Sequence, residues 1–243
     1  MSIRYDVRPR LGVRLSLPVN ILMFIGFLVI SPLLLFLFLV LITIGVQPSL
    51  ALTLTLGSLL TSYINVVVAE VTYYVPFNPF MDLMKLFPIP IIIQRIDKLF
   101  LEVNIGGAVI PTIVSIYLIG TYLIHNMLIL VSFIVSLIIS SLIIWRSARL
   151  IPGIGITLPT ALPVLLTLMF TLVSTAVFHA NPLAFSYSLG SLSTLLGADI
   201  LNIRKVIRLM RGYVSIGGAG VFDGIYITGL MSLILASLYK VLL

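Results

Sequence analysis

Two aspartates, Asp199 and Asp223, stand in the apolar, glycine-rich stretch GADILNIRKVIRLMRGYVSIGGAGVFDG (Gly197–Gly224). Neither has a counter-ion at helical spacing. The i±3 and i±4 neighbours of Asp199 are Leu195, Leu196, Asn202 and Ile203, and those of Asp223 are Ala219, Gly220, Tyr226 and Ile227. A carboxylate at the centre of a lipid-facing helix costs about 2.5–3.5 kcal/mol, so both are expected to face a bundle interior or water. Two carboxyls within hydrogen-bond reach cannot both ionise easily and share a proton. One then acts as base toward a water and the other as acid toward a carbonyl oxygen, the chemistry of aspartic proteases. The same pair serves equally as a proton or cation site in a transporter. The plainer alternative is an interfacial Asp bonded to amides of the glycine-rich turn, or one that reaches Arg204 or Lys205.

The residues around the acids fit a paired site. Gly217, Gly218 and Gly220 weaken any helix through SIGGAG, so this segment is expected to enter the membrane unwound or closely packed against another helix. Asn65, deep in its span, is expected to point at the acids or to bond a neighbouring helix. Tyr226 lies one turn beyond Asp223. Glu70, near Tyr73 and Tyr74, is a weaker candidate that can snorkel. His125 and His179 fall in short loops far from the acids, and there is no cysteine. No metal site and no cofactor are expected.

These residues need a frame, and composition supplies one. Of 243 residues 60% are hydrophobic and 9% charged, which places the chain among membrane proteins. The sequence predicts a single all-α integral membrane domain over 1–243. Seven transmembrane helices are expected at about 17–46, 50–75, 105–125, 127–145, 159–180, 182–203 and 213–240, with a loop at 76–104. The first run is too long for a signal peptide and is expected to be retained. An N-in, C-out orientation puts every Lys and Arg except Lys240 on the cytoplasmic side. The net charge of +7 is therefore read as a cytoplasmic face in a multi-pass cell-membrane protein, not as a nucleic-acid footprint. The apolar text Phe87–Ile93 within the loop reads as interfacial or re-entrant.

A weak internal repeat is also visible. LGSLLT (Leu56–Thr61) matches LGSLST (Leu189–Thr194), and IGGAVIP (Ile105–Pro111) matches IGGAGVF (Ile216–Phe222). Order and direction agree for both pairs, which suggests a 3+1+3 parallel repeat of helices. Asn65 and Thr112 then lie near the first-half counterparts of Asp199 and Asp223.

GADILN, SIGGAGVFDGIYITG, PGIGITLPTALP, and IGGAVIP with the following Ser115 resemble the prokaryotic membrane family catalogued as domain of unknown function 1614. The likeness covers most of the chain after about Ser62. More distantly, two aspartates on consecutive helices, the second beside glycines, are similar to presenilin, signal peptide peptidase and prepilin peptidase. That resemblance implies that Asp199 and Asp223 form a catalytic dyad acting on a transmembrane peptide within the lipid bilayer. The alternative reading is a transporter or channel for a cation or small solute that uses the same acids.

Overall fold

A computed structural model describes residues 4–15, 32, 34–43, 45–77, 93–151, 155–159 and 161–242. Along the chain come β1 (Arg4–Leu15), α1 (Leu34–Thr43), α2 (Pro48–Thr61), β2 (Ile64–Phe77), β3 (Ile93–Asn104) and α3 (Ile105–Leu123). There follow α4 (Met127–Ser147), β4 (Arg149–Ile151), β5 (Gly155–Thr157), α5 (Ala161–Phe178), α6 (Pro182–Thr194) and a π turn (Leu195–Ile200). The chain closes with α7 (Ile203–Leu209), β6 (Gly212–Ile216), a 3-10 turn (Gly220–Phe222) and α8 (Gly224–Leu242).

The all-α, seven-span reading is overturned. Among the described residues, strands form a four-stranded sheet in the order β1-β2-β3-β6 and a small β4–β5 hairpin. Among the described residues only α3, α4 and α5 are long and apolar enough to cross a bilayer; α1, α2 and residues 224–238 of α8 are shorter apolar helices. The predicted span 50–75 breaks at Ser62–Tyr63. Beyond it, INVVVAEVTYYVPF is rich in β-branched and aromatic side chains, which favour a pleated surface over a helix. The predicted loop 76–104 ends in the returning strand β3, Ile93–Asn104, its residues 78–92 lying outside the described ones, and the arginine-rich N-terminus is β1. Residues 17–31 of the first predicted span, Lys85 and the 87–92 stretch lie outside the described residues.

The sheet has two faces. On one, Val71, Tyr73, Leu99 and Leu101 pack on Val206 and Met210, anchoring α7. The Tyr73 hydroxyl donates to the Ile207 carbonyl, and the Arg211 guanidinium lies 3.5 Å from the Tyr73 ring centroid. The other face is ionic and aromatic. Glu70 receives Arg10 and Lys98, Arg14 forks onto Glu102, and Phe100 stacks on Tyr213. Glu70 is thus tied into the sheet, away from both aspartates. Hydrogen bonds from Lys98 first, then Arg10, hold its carboxyl below the ordinary value of 4.5. A carboxyl depressed in the fold adds stability above its unfolded pKa and loses it as pH falls through the folded one. Glu70→Gln is therefore expected to melt below wild type at neutral pH, with the gap closing in acid below about 4.5. A gap that stays constant with pH would show that the ion pairs contribute nothing.

The helices gather around α6, which packs against α3, α4, α5 and α8. Nearly every α6 residue is buried, and many are small: Ala184, Ser186, Ser188, Gly190, Ser191 and Ser193. Small residues let backbones approach closely where lipid offers no hydrophobic drive for helix pairing. A β-carbon on Gly190 would lie 3.0 Å from the Thr228 carbonyl of α8. In contrast, α4 and α5 expose apolar side chains such as Val135, Ile138, Leu165 and Val173. The β4–β5 hairpin seats Leu150 and Ile156 on the sheet cluster, so it sits at the sheet end of the bundle.

What survives of the repeat is a strand, a glycine pair and a helix. Strands β3 and β6 run parallel and adjacent, with Glu102 opposite Ser215 and Val103 opposite Ile216. Each feeds an Ile-Gly-Gly-Ala segment, and the two segments touch. A β-carbon on Gly107 would lie 2.2 Å from the Gly217 carbonyl oxygen and 2.7 Å from that of Gly220. The 3+1+3 arrangement of whole helices falls with the seven spans. The LGSLLT and LGSLST segments close α2 and α6.

Candidate functional site

Asp199 reaches its position through the π turn that ends α6. Hydrogen bonds there run five residues back, as from Leu201 N–H to the Leu196 carbonyl at 2.9 Å. The widening brings Asp199 toward the side of the helix that carries Thr194. Asn202 steadies the turn by donating to the carbonyls of Gly197 (3.1 Å) and Ala198 (3.0 Å). Gly197 lets α4 come close: a β-carbon there would lie 2.6 Å from the Ser141 carbonyl.

Asp223 reaches the site from the opposite direction. β6 ends at Ile216, and a tight turn follows in which Gly217 and Gly220 take positive φ, a region favourable to glycine. Asp223 then caps α8. Its backbone is extended (φ −72°, ψ 151°), its carbonyl accepts the Ile227 N–H at 2.9 Å, and its carboxylate accepts the Ile225 N–H at 3.1 Å. The Ala219 amide also bonds this carboxylate.

The two acids line one cavity of about 250 Å³, half open. Thr194, Ala198 and Asp199 form one wall. Asp223, Gly224, Ile227 and Thr228 form the other, and Ile156, Leu158 and Pro163 close over them. Both carboxyls are half-buried, and the charge of Asp223 acts on Asp199. Asp223 is held by backbone amides, whereas among the described residues Asp199 has no hydrogen-bond donor. One fixed and one unfixed carboxyl in a shared cavity can pass a proton between a water and a second ligand. Among the described residues, His, Asp and Glu side chains nowhere converge in threes.

The remaining predicted residues stand elsewhere. Asn65 lies on β2, fully buried, and accepts from Ser215 (2.7 Å) and Asn104 (3.1 Å). It braces the end of the sheet beside the glycine turn and does not line the cavity. Tyr226 faces the apolar cluster formed with α3 and α6. Gly217, Gly218 and Gly220 shape the turn without lining the cavity, and Thr112 bonds back to Ala108 within α3. Sequence reasoning missed Thr194 and Thr228 as cavity walls, because a helical repeat of 3.6 does not align Thr194 with Asp199. It also missed Arg14 and Glu102, whose alternation with apolar neighbours marks strands.

No curated protein and no solved structure matches the chain, so the likeness to intramembrane aspartyl proteases gains no support beyond the two acids themselves. A family model does match, over residues 59–235, which takes in the β2–β3 hairpin, the glycine segments and both aspartates. The chain belongs to that family, described as "Protein of unknown function (DUF1614)".

Proposed function

We propose that the protein is a membrane-embedded hydrolase of the aspartyl type, in which Asp199 and Asp223 cleave a peptide bond presented at the sheet end of the bundle. The carrying observation is that both carboxyls line one half-open cavity while only Asp223 is fixed by amides. Asp223 takes a proton from a water whose oxygen attacks the peptide carbonyl carbon, and Asp199 gives its proton to the carbonyl oxygen. The tetrahedral intermediate then breaks its C–N bond as the nitrogen takes a proton from Asp223 and a hydroxyl returns one to Asp199, re-forming the carbonyl. Positive charge on β1 and α7 argues that this end faces the cytoplasm.

A reporter transmembrane helix in liposomes tests the reading. Asp199→Asn and Asp223→Asn are each expected to lower cleavage by about 10²–10⁴-fold. Asn caps a helix as well as Asp does, so Asp223→Asn removes the acid while keeping the start of α8. Wild-type protein that cleaves nothing, or a single variant that cleaves normally, would end the proposal.

Transport is the second reading, and a separate observation favours it. Among the described residues the hydroxyls of Thr194, in the cavity wall, and of Ser232, farther along α8, are buried without hydrogen-bond partners. Such groups mark places where water or a cation sits. On this reading the liposomes show no cleavage but pH-dependent uptake that shifts when either acid is neutralised.

A further inference from the structure

Beside the acid cavity, where α4 meets the β4–β5 hairpin, lies an open cleft of about 550 Å³ lined by Arg146, Ser147, Arg149, Thr157, Leu158 and Pro159. Arg146 and Arg149 are exposed. Three exposed cations at this end have a carboxylate: Arg8 has Asp6, and Arg10 and Lys98 share Glu70. Among the described residues neither cleft arginine has one. The cleft thus carries two uncompensated guanidinium groups. A third cation stands nearby, Lys205, 5.3 Å from the ring centroid of Trp145. The Trp145 Nε1–H is buried and finds no acceptor among the described residues.

What adjoins the cleft decides its occupant. Over the turns that lead to Arg146, α4 exposes Ile138, Leu142 and Ile143, and α5 exposes Leu165 and Met169 just after Pro159. A soluble phosphate has no use for these apolar faces. A lipid needs both parts: a positively charged seat for its phosphate and an apolar wall for its chains. Tryptophan at the end of an apolar helix is the usual marker of the headgroup level, and forked guanidinium groups suit phosphate oxygens.

We infer that this cleft binds the headgroup of an anionic glycerophospholipid, its phosphate between Arg146 and Arg149 and its acyl chains along α4 and α5. The inference rests on the bundle lying in a bilayer and not on the chemistry of the two acids. Leu158 also lines the acid cavity, so a bound headgroup steadies the hairpin that closes over Asp199 and Asp223.

Native mass spectrometry of the full chain in detergent, titrated with phosphatidylglycerol or phosphatidylcholine, tests this. Wild type is expected to retain the anionic lipid in preference to the zwitterionic one. Arg146→Gln/Arg149→Gln is expected to weaken that retention about thirtyfold, the factor expected of two basic side chains at a membrane surface. Arg8→Gln, on β1 and outside the cleft lining, is expected to leave it unchanged. Equal retention by the double variant, equal binding of both lipids by wild type, or displacement of the lipid by inorganic phosphate would each overturn the proposal; the last would reveal a soluble-phosphate site. Should the double variant misfold, the wild-type preference and its resistance to phosphate still decide the question.

Discussion

Alanine at Gly107 is expected to lower the heat resistance of the fold sharply. Its β-carbon would meet the carbonyl oxygens of Gly217 and Gly220, both backbone atoms of a turn that is itself held by positive φ. No rotamer change relieves a clash with backbone, so the two glycine segments must separate. Overpacking costs about 1–3 kcal/mol and occasionally more. Here the top of that range is expected, against a total stability of about 5–15 kcal/mol. Gly106→Ala is expected to behave alike, because its β-carbon would lie 2.1 Å from the Ser58 carbonyl oxygen of α2. Gly120, farther along the same helix, provides the contrast. Nothing stands within 4 Å of a β-carbon there, and alanine is expected to raise stability by about 0.5–1 kcal/mol. The fraction of monodisperse protein surviving a heating series reads all three. A Gly107→Ala protein as heat-resistant as wild type would show that the two segments do not touch.

The second large effect concerns Arg14 and Glu102. The Glu102 carboxylate is fully buried and takes two hydrogen bonds from Arg14, at 2.8 and 2.6 Å. The same bonds hold the Arg14 guanidinium more firmly protonated than usual. Arg14→Leu leaves a buried carboxylate alone, a change that costs about 3–5 kcal/mol in a dry interior. Arg14 is 39% exposed, so water reaches the site and the lower end is expected. Leucine at both positions removes the stranded charge and is expected to recover most of the loss. A double variant whose loss equals the sum of the two single losses would show that the pair is not coupled.

The apolar helices α4 and α5 were legible because each keeps an apolar composition through 18 or more residues. The glycine segments were legible as places where backbone must come close, though not that they would close on one another. The strands were hidden by hydropathy itself. A window across 50–75 averages α2 and β2 into one apolar run, although Val66, Val67, Val71, Tyr73 and Tyr74 prefer a sheet. RYDVRPRLGVRL alternates charged and apolar residues with the period of a strand, a signal masked by attention to its arginines as topology markers. β6 is short and owes its conformation to pairing with β3. At the candidate site, two acids without local counter-ions were visible from spacing alone. The π turn that places Asp199 beside Thr194 was not, because it depends on Asn202 and on Gly197 fitting against α4.

The parallel pairing of β3 with β6 also dictates a timetable. A ribosome makes β3 first and must then make α3 through α7 before β6 exists. Until that moment β3 is an open strand edge, Gly107 faces no partner, and Asn65 lacks the Ser215 hydroxyl. The turn that caps α8 with Asp223 is translated later still. Contacts so distant along the chain form slowly, since a large loop must close before any bond rewards it. The two carboxyls therefore meet only in the last stage of maturation. A chain that stops short of Asp223 has Asp199 alone, and so lacks the cavity the two acids share.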